Sequence, residues 1–305
     1  MKYANSIFEL IGNTPMIKIR HMLPAGSAEV YAKLEWYNIG GSVKDRMALW
    51  LIEKAEKQGR LTKGKTILEA TSGNTGIAFA MIAAAKGYPI ELVMPESVSI
   101  ERRKIIQAYG AKLVLSPGAK GTGGAVELKQ AMLKENPGKY IDIDQFKDPA
   151  NIEAHYKTTA VEILEQMDGA PDMVIVGVGT ARTGAGISKK FREQGLATKI
   201  VGVLPELGSA IQGLRNPREL NPTQLFDSKQ FDEIIEIKKD EIPATFETAR
   251  ELAKKEGLLV GMSSGAAMHV ARKKAVELGK GKKIVVIFPD NGFKYLSTPL
   301  FGSDA

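Results

Sequence analysis

Several short stretches of this 305-residue chain carry residue types able to do chemistry. In GGSVKDR, Gly40 to Arg46, Lys44 follows two glycines and a serine at the start of a helix-like pattern running to about Lys57. Most lone lysines are solvated surface groups. A lysine becomes reactive when it is desolvated or condensed with a carbonyl. TSGNTG, Thr71 to Gly76, packs Thr71, Ser72, Asn74 and Thr75 around two glycines ahead of a helix. Such a turn offers hydroxyl and amide donors to a carboxylate, although Ser or Asn there more commonly caps the helix. GTARTGAG, Gly179 to Gly186, lies between a strand and a helix, where backbone N–H groups and the positive end of the helix dipole can hold a phosphate. It is not a P-loop, since no Gly-Lys-Ser/Thr follows, and not a dinucleotide fingerprint, since Arg182 stands where the third glycine would be. A tight turn that binds nothing accounts for it equally well. SSGAA, Ser263 to Ala267, opens a helix; Ser263 either caps it or reaches a cofactor's ring nitrogen.

The elements that position these stretches follow one pattern, a short β-branched run, a Gly- or Ser-rich turn and an amphipathic helix, which is the grammar of βαβ units. Thr66 to Ala70, Ile90 to Met94 and Leu113 to Leu115 open such units and belong to one parallel sheet. MVIVGV, IVGVLP and a last strand IVVIFPD resume the pattern beyond about residue 146. The expected class is therefore α/β, with two subdomains, each a central mostly parallel sheet flanked by helices. Gly208 to Lys229, rich in Pro, Asn and Gly, reads as a long surface excursion.

Composition narrows the chemistry. With no cysteine and three scattered histidines, thiolate and His-rich metal sites are excluded, and no metal is expected. His21, His155 and His269 have no spacing that suggests a triad and read as structural. The net charge of +7 is spread among acids, as in EKAEKQGR, so it marks solvated faces rather than a nucleic-acid footprint. No apolar run approaches the ~20 residues of a membrane helix, and the start MKYANSIFEL lacks a signal peptide's apolar stretch. A cytoplasmic protein without membrane or nucleic-acid partners is the expectation.

Taken together the motifs resemble the cysteine synthase (O-acetylserine sulfhydrylase) family of pyridoxal-phosphate enzymes. The likeness runs from IFELIGNTPMIKI through KLEWYNIGGSVKDRMAL, EATSGNTGIAFAMIAAAKGY, MPESVSIERRKIIQAYGAKLVL and DQFKDPANIEAHY to GLLVGMSSGAA and FPDNGFKYLST, in the family's order. KYLST and the NPREL excursion look closer to the B-type isozyme. The resemblance implies a tryptophan synthase β-like fold, with residues 1–40 and 146–305 as a large cofactor-binding domain and 41–145 as a smaller mobile domain. It implies pyridoxal 5'-phosphate joined to Lys44, its 3′-oxygen met by Asn74, and its phosphate held by Gly179, Thr180, Ala181, Arg182 and Thr183. Ser263 would meet the pyridine nitrogen, and Thr71, Ser72, Thr75 and Gln145 would grip the substrate α-carboxylate. The implied reaction is β-replacement on a serine-type amino acid through an aminoacrylate, O-acetylserine and sulfide giving cysteine and acetate. A homodimer and binding of serine acetyltransferase are also implied.

Two departures stand out. The family's phosphate loop reads Gly-Thr-Gly-Gly-Thr where this chain has Gly-Thr-Ala-Arg-Thr, and a position needing positive φ would resist Arg. The family's Thr-Gly-Pro-Glu-Ile is here Thr159 to Ile163, TAVEI. A cysteine-consuming relative that releases hydrogen sulfide and forms lanthionine or serine is the first alternative, with Asp227 or Asp232 as an extra carboxylate; Asp232 reads more simply as a strand-flanking acid. A serine/threonine dehydratase and a non-catalytic scaffold are the others.

Overall fold

The computed structural model of the chain describes residues 3–71, 73–145, 147–219 and 227–302. Among them the strands are β1 (Met16–Lys18), β2 (Glu29–Leu34), β3 (Thr66–Ala70), β4 (Ile90–Pro95), β5 (Lys112–Ser116), β6 (Tyr140–Asp142), β7 (Met173–Gly177), β8 (Lys199–Pro205), β9 (Glu233–Ile237) and β10 (Lys283–Phe288). The α-helices are α1 (Lys44–Lys57), α2 (Asn74–Lys86), α3 (Ile100–Ala108), α4 (Gly121–Glu135), α5 (Ala150–Lys157), α6 (Thr159–Gln166), α7 (Arg182–Glu193), α8 (Ile242–Glu256) and α9 (Met262–Leu278). Two compact units divide the chain, one of Met1–Ile11 and Lys44–Asn151, the other of Gly12–Val43 and Ile152–Ala305.

The first unit is built on a parallel sheet in the order β5-β4-β3-β6. β3 and β4 are buried along their whole length, which is why TILEA and IELVMP read as continuous rather than alternating runs. α1 packs on α2, and α2 has only small and apolar side chains over most of its buried length, from Ile77 to Ala83. Gly87, at φ 76, ends α2 as its left-handed C-cap. α4 covers the sheet through Ala125, against Leu68, Ala70 and Val93.

The second unit carries a sheet ordered β1-β2-β10-β7-β8-β9. All neighbours run parallel except β1, which returns antiparallel on β2. One face is covered by α8 and α9 through residues such as Ala249, Leu252, Ala266 and Val270; Ile163, Ile187 and Phe191 of α6 and α7 join the other core. α7 lies close because its glycines allow it. A Cβ on Gly186 would stand 2.6 Å from the Ile152 carbonyl oxygen, and one on Gly184 would run into Phe231.

Within TAVEI the structure gives Glu162 a role, and nothing in it explains the change at Ala160 and Val161. Glu162 accepts the N–H groups of Asn13 (2.9 Å) and Thr14 (3.3 Å) and pairs with Lys33, a fully buried residue of β2, at 2.6 Å. Lys33 Nζ also donates to the Thr14 carbonyl at 2.6 Å and to Gln166 Oε1 at 2.8 Å. The acid therefore anchors the chain entering β1, and the residues changed around it leave that anchor in place. Removing one partner of such a buried pair leaves an uncompensated charge. Lys33→Met is expected to lower unfolding free energy by about 3 kcal/mol, read as a drop in the urea midpoint at unchanged slope; an unchanged midpoint would show that the pair carries no weight.

Candidate active site

In parallel α/β sheets ligands collect at the carboxyl ends of the strands. β3 ends at Ala70, and the chain enters α2 with Gly73 as its N-cap and Asn74 as its first residue. Asn74 is thus not the cap; Ser72 lies outside the described residues. The Thr71 N–H donates to the Val93 carbonyl on β4 at 3.0 Å, and the Thr71 hydroxyl accepts the Gly73 N–H at 3.3 Å. Thr75 Oγ1 donates to Gln145 Oε1 at 2.9 Å, while Gln145 Nε2 donates to the Ala70 carbonyl at 3.4 Å. Thr71, Thr75 and Gln145 are all buried, so the turn and a glutamine 70 residues away form one knot of polar groups.

Lys44 is the first residue of α1. It is half-buried, and the next two residues, Asp45 and Arg46, are 0% and 2% exposed. Asp45 and Arg46 lie on other faces of α1 than Lys44, so their burial shows that the helix is packed while Lys44 itself has intermediate exposure.

In the second unit, β7 runs through Val178 and Gly179 into α7. The Val178 N–H donates to the Val203 carbonyl at 2.7 Å, and its own carbonyl accepts the Arg215 N–H at 2.8 Å. A Cβ on Gly179 would stand 2.7 Å from the Gly213 carbonyl oxygen, and one on Gly213, at φ +94, would stand 3.1 Å from Ser263 Oγ. Gly179, Gly213 and Ser263 are therefore in close succession. Thr180 is half-buried, and Ala181 takes φ 64 and ψ −3 as the N-cap of α7. The left-handed position of the loop is thus Ala181, while Arg182 has an ordinary place as the first helical residue and is buried at 1% exposure. A left-handed residue with a Cβ costs about 1–2 kcal/mol. Thr183 Oγ1 lies 3.2 Å from Nε2 of buried His155, whose Nδ1 lies 2.9 Å from Thr159 Oγ1.

Ser263 is the second residue of α9, whose N-cap is Gly261. Its hydroxyl is therefore not spent on capping. The Gly261 N–H donates to the Asp290 carbonyl at 3.1 Å, and buried Asp290 accepts from Tyr295 Oη at 2.9 Å. Lys294 Nζ lies 3.8 Å from the same carboxylate and donates to the Gly41 carbonyl at 3.0 Å. The Val43 N–H donates to the Pro289 carbonyl at 2.9 Å. The turn after β10 thus fixes both the backbone leading into Ser263 and the backbone leading into Lys44.

These residues suit a phosphate-bearing cofactor. No side-chain cap closes α7, an end that favours an anion, but α2, α3, α4, α6, α8 and α9 share that lack, so the distinguishing feature is the backbone before α7. Gly179 presents backbone where any Cβ would collide. Fold and turns are those of an α/β protein whose bare backbone at Gly179 suits an anionic group. The chain belongs to the family of pyridoxal-phosphate dependent enzymes, whose model matches residues 7–290. It is 44% identical over 312 aligned residues to a cysteine synthase of Staphylococcus aureus, covering 99% of each chain. It is 43% identical to cysteine synthase B of Salmonella typhimurium, covering 98% of this chain and 97% of that one. The crystal structure of a hydrogen sulfide-producing enzyme from Fusobacterium nucleatum superposes with a TM-score of 0.89 at 41% identity, over 96% of this chain and all of that one.

Within each unit the structure brings the sequence candidates together: Thr71, Asn74, Thr75 and Gln145 in one, Gly179 to Thr183 with Ser263 in the other. Sequence reasoning missed Gly213, because Gly208 to Lys229 read as a surface excursion. Ile211, Leu214 and Asn216 are instead buried, and residues 220–226 lie outside the described set. His155, read as structural, is buried within hydrogen-bond distance of Thr159 and Thr183, a pairing that nothing in its spacing announces. The extra-carboxylate idea finds no support at Asp232, which accepts the Ile200 N–H at 2.7 Å and pairs with Arg192 at 3.3 Å. Asp227 caps a short 3-10 turn through the Lys229 N–H. Ala181→Gly is expected to raise unfolding free energy by about 0.5–1 kcal/mol, the strain relieved less the backbone entropy added, without weakening cofactor affinity; a fall in stability would contradict the left-handed assignment.

Proposed function

We propose that this protein is a cysteine synthase, replacing the acetoxy group on the β-carbon of O-acetylserine with sulfide. Whole-length identity of 44% to an enzyme named for that activity is the observation that carries the reading. When bound, pyridoxal 5'-phosphate draws electrons from the substrate's α-carbon, acidifying its proton and easing loss of the β-substituent. The Gly179 to Thr183 amides and hydroxyls would hold its phosphate, Asn74 would meet its 3′-oxygen, and Ser263 would meet the ring nitrogen. A neutral hydroxyl there, rather than a carboxylate, keeps the ring a modest electron sink and favours prompt β-elimination over deeper carbanion chemistry. Thr71, Ser72, Thr75 and Gln145 fix the α-carboxylate, which sets the direction of the Cα–H bond. Lys44 would carry the cofactor, and its Nζ would take and return the proton at the substrate's α-carbon.

Likeness to a hydrogen sulfide-producing enzyme favours a second reading, in which cysteine is the donor and sulfide the leaving group. We extend the main reading to a cytoplasmic homodimer that serine acetyltransferase can bind. In it, residues 1–40 and 146–305 are read as the cofactor domain and 41–145 as the mobile domain, bounds that differ from the two compact units at 1–11, 41–43 and 146–151.

Cofactor-loaded protein given O-acetylserine with sulfide, or cysteine alone, separates the readings by mass spectrometry of the products. Cysteine and acetate from the first mixture are expected. Faster lanthionine or serine from cysteine would favour the second reading, and pyruvate as main product would contradict both. Lys44→Ala is expected to lower kcat by roughly 10³-fold or more while the circular-dichroism spectrum is unchanged; retained turnover would remove Lys44 from its role.

A further inference from the structure

Glu69 stands in β3 two residues before Thr71 and is fully buried. Burying an acid inside a parallel sheet is costly unless something pairs with it. Its Oε1 accepts the N–H of Ala70 at 3.1 Å and lies 3.7 Å from the Nζ of Lys129 on α4, itself 2% exposed. Lys129 also holds Asp142 Oδ1, at the end of β6, at 2.8 Å. Glu69 Oε2 is buried with no hydrogen-bond partner among the described residues. A single buried ammonium thus ties β3 and β6 to α4 directly behind the substrate turn.

The connection to that turn runs through Ala70. The Glu69 carboxylate takes its N–H, and Gln145 donates to its carbonyl at 3.4 Å while accepting from Thr75 at 2.9 Å. Asp144, held at φ 49, immediately precedes Gln145. We propose that Glu69 and Lys129 are positioning residues for the amino-acid substrate, acting through Ala70 and Gln145 on the Thr71 to Thr75 turn. The inference rests on the reading of that turn as the carboxylate grip.

Burial pushes the Glu69 carboxyl up to about 7, with Lys129 opposing the rise and Asp142 and Asp144 adding to it. Burial works against the ammonium form of Lys129, but Glu69, Asp142 and Asp144 together raise its pKa. The other charges on the packed elements have partners of their own: Glu91 on β4 pairs with Lys112 and Lys139, Asp144 with Lys147, and Lys86 of α2 with Glu56. Ionised Glu69 makes a charge-assisted bond to Ala70 and attracts Lys129, and protonation weakens both. The turn is therefore firmest above about pH 7. Stability follows the opposite sign, because a carboxyl raised above its ordinary 4.5 contributes fully below that value and loses the contribution as pH passes about 7.

Glu69→Gln keeps the shape and removes the titration. In cofactor-loaded enzyme, the KM for the amino-acid substrate is expected to rise about fivefold at about pH 8 with kcat within about twofold, the size of one lost hydrogen bond. Wild-type KM should rise as pH falls from about 8 to about 6, and the variant's should stay flat. Hydrogen exchange of the backbone amides around Ala70 and Thr71 should quicken in the variant, a readout independent of turnover. If Glu69→Gln does not accumulate as folded protein, Glu69→Gln with Lys129→Met removes both charges and is judged by the same KM and exchange. A variant matching wild type in KM, pH profile and exchange overturns the inference and leaves the proposed function standing. Wild-type protein that neither binds nor converts any amino acid overturns the reading of the turn, and the inference with it.

Discussion

The backbone at Gly179 passes so close to the Gly213 carbonyl that no Cβ fits between them, and Gly213 in turn lies against Ser263. Three segments distant in sequence, the turn after β7, the folded-in stretch around Gly213 and the start of α9, are locked by that contact. Close packing of bare backbone is what lets amides approach a phosphate. It also dictates where strain collects. The loop's left-handed residue is Ala181 rather than a glycine, and the chain tolerates about 1–2 kcal/mol there.

Buried charges hold the turns that glycine cannot. Lys33 with Glu162 fixes the entry to β1, Lys129 with Asp142 and Glu69 fixes the end of β3, and Asp290 with Tyr295 fixes the segments leading to Ser263 and Lys44. The two ion pairs span elements that no local propensity would join, whereas Asp290 and Tyr295 are five residues apart. Such pairs add little net stability over an apolar packing, but breaking one leaves a charge uncompensated at about 3–5 kcal/mol. They define geometry more than they raise stability.

Much of this was legible in the sequence, and the illegible part has physical reasons. β3, β4, β7, β8 and β10 announce themselves as short apolar runs because parallel strands are buried on both faces. The strand-to-helix turns announce themselves because close backbone approach demands glycine and small polar residues. β6, three residues long, and the antiparallel β1 carry too little pattern to be read. Gly213 hid in a segment whose Pro and Asn content resembles solvated loop, although its neighbours are core. The Ala181–Arg182 substitution looked like a threat to the phosphate loop until the structure assigned the positive φ to the alanine. Glu69 and Lys129, 60 positions apart in number, meet only in three dimensions.

The central proposal is that Lys44, half-buried as the first residue of α1, is the lysine that would be joined to the cofactor. Borohydride reduction of the cofactor-loaded protein, followed by digestion and peptide mass spectrometry, assigns that lysine directly. The expected result is a phosphopyridoxyl mass on the peptide containing Lys44 and on no other. The same mass on a different lysine, or on none, would contradict the claim.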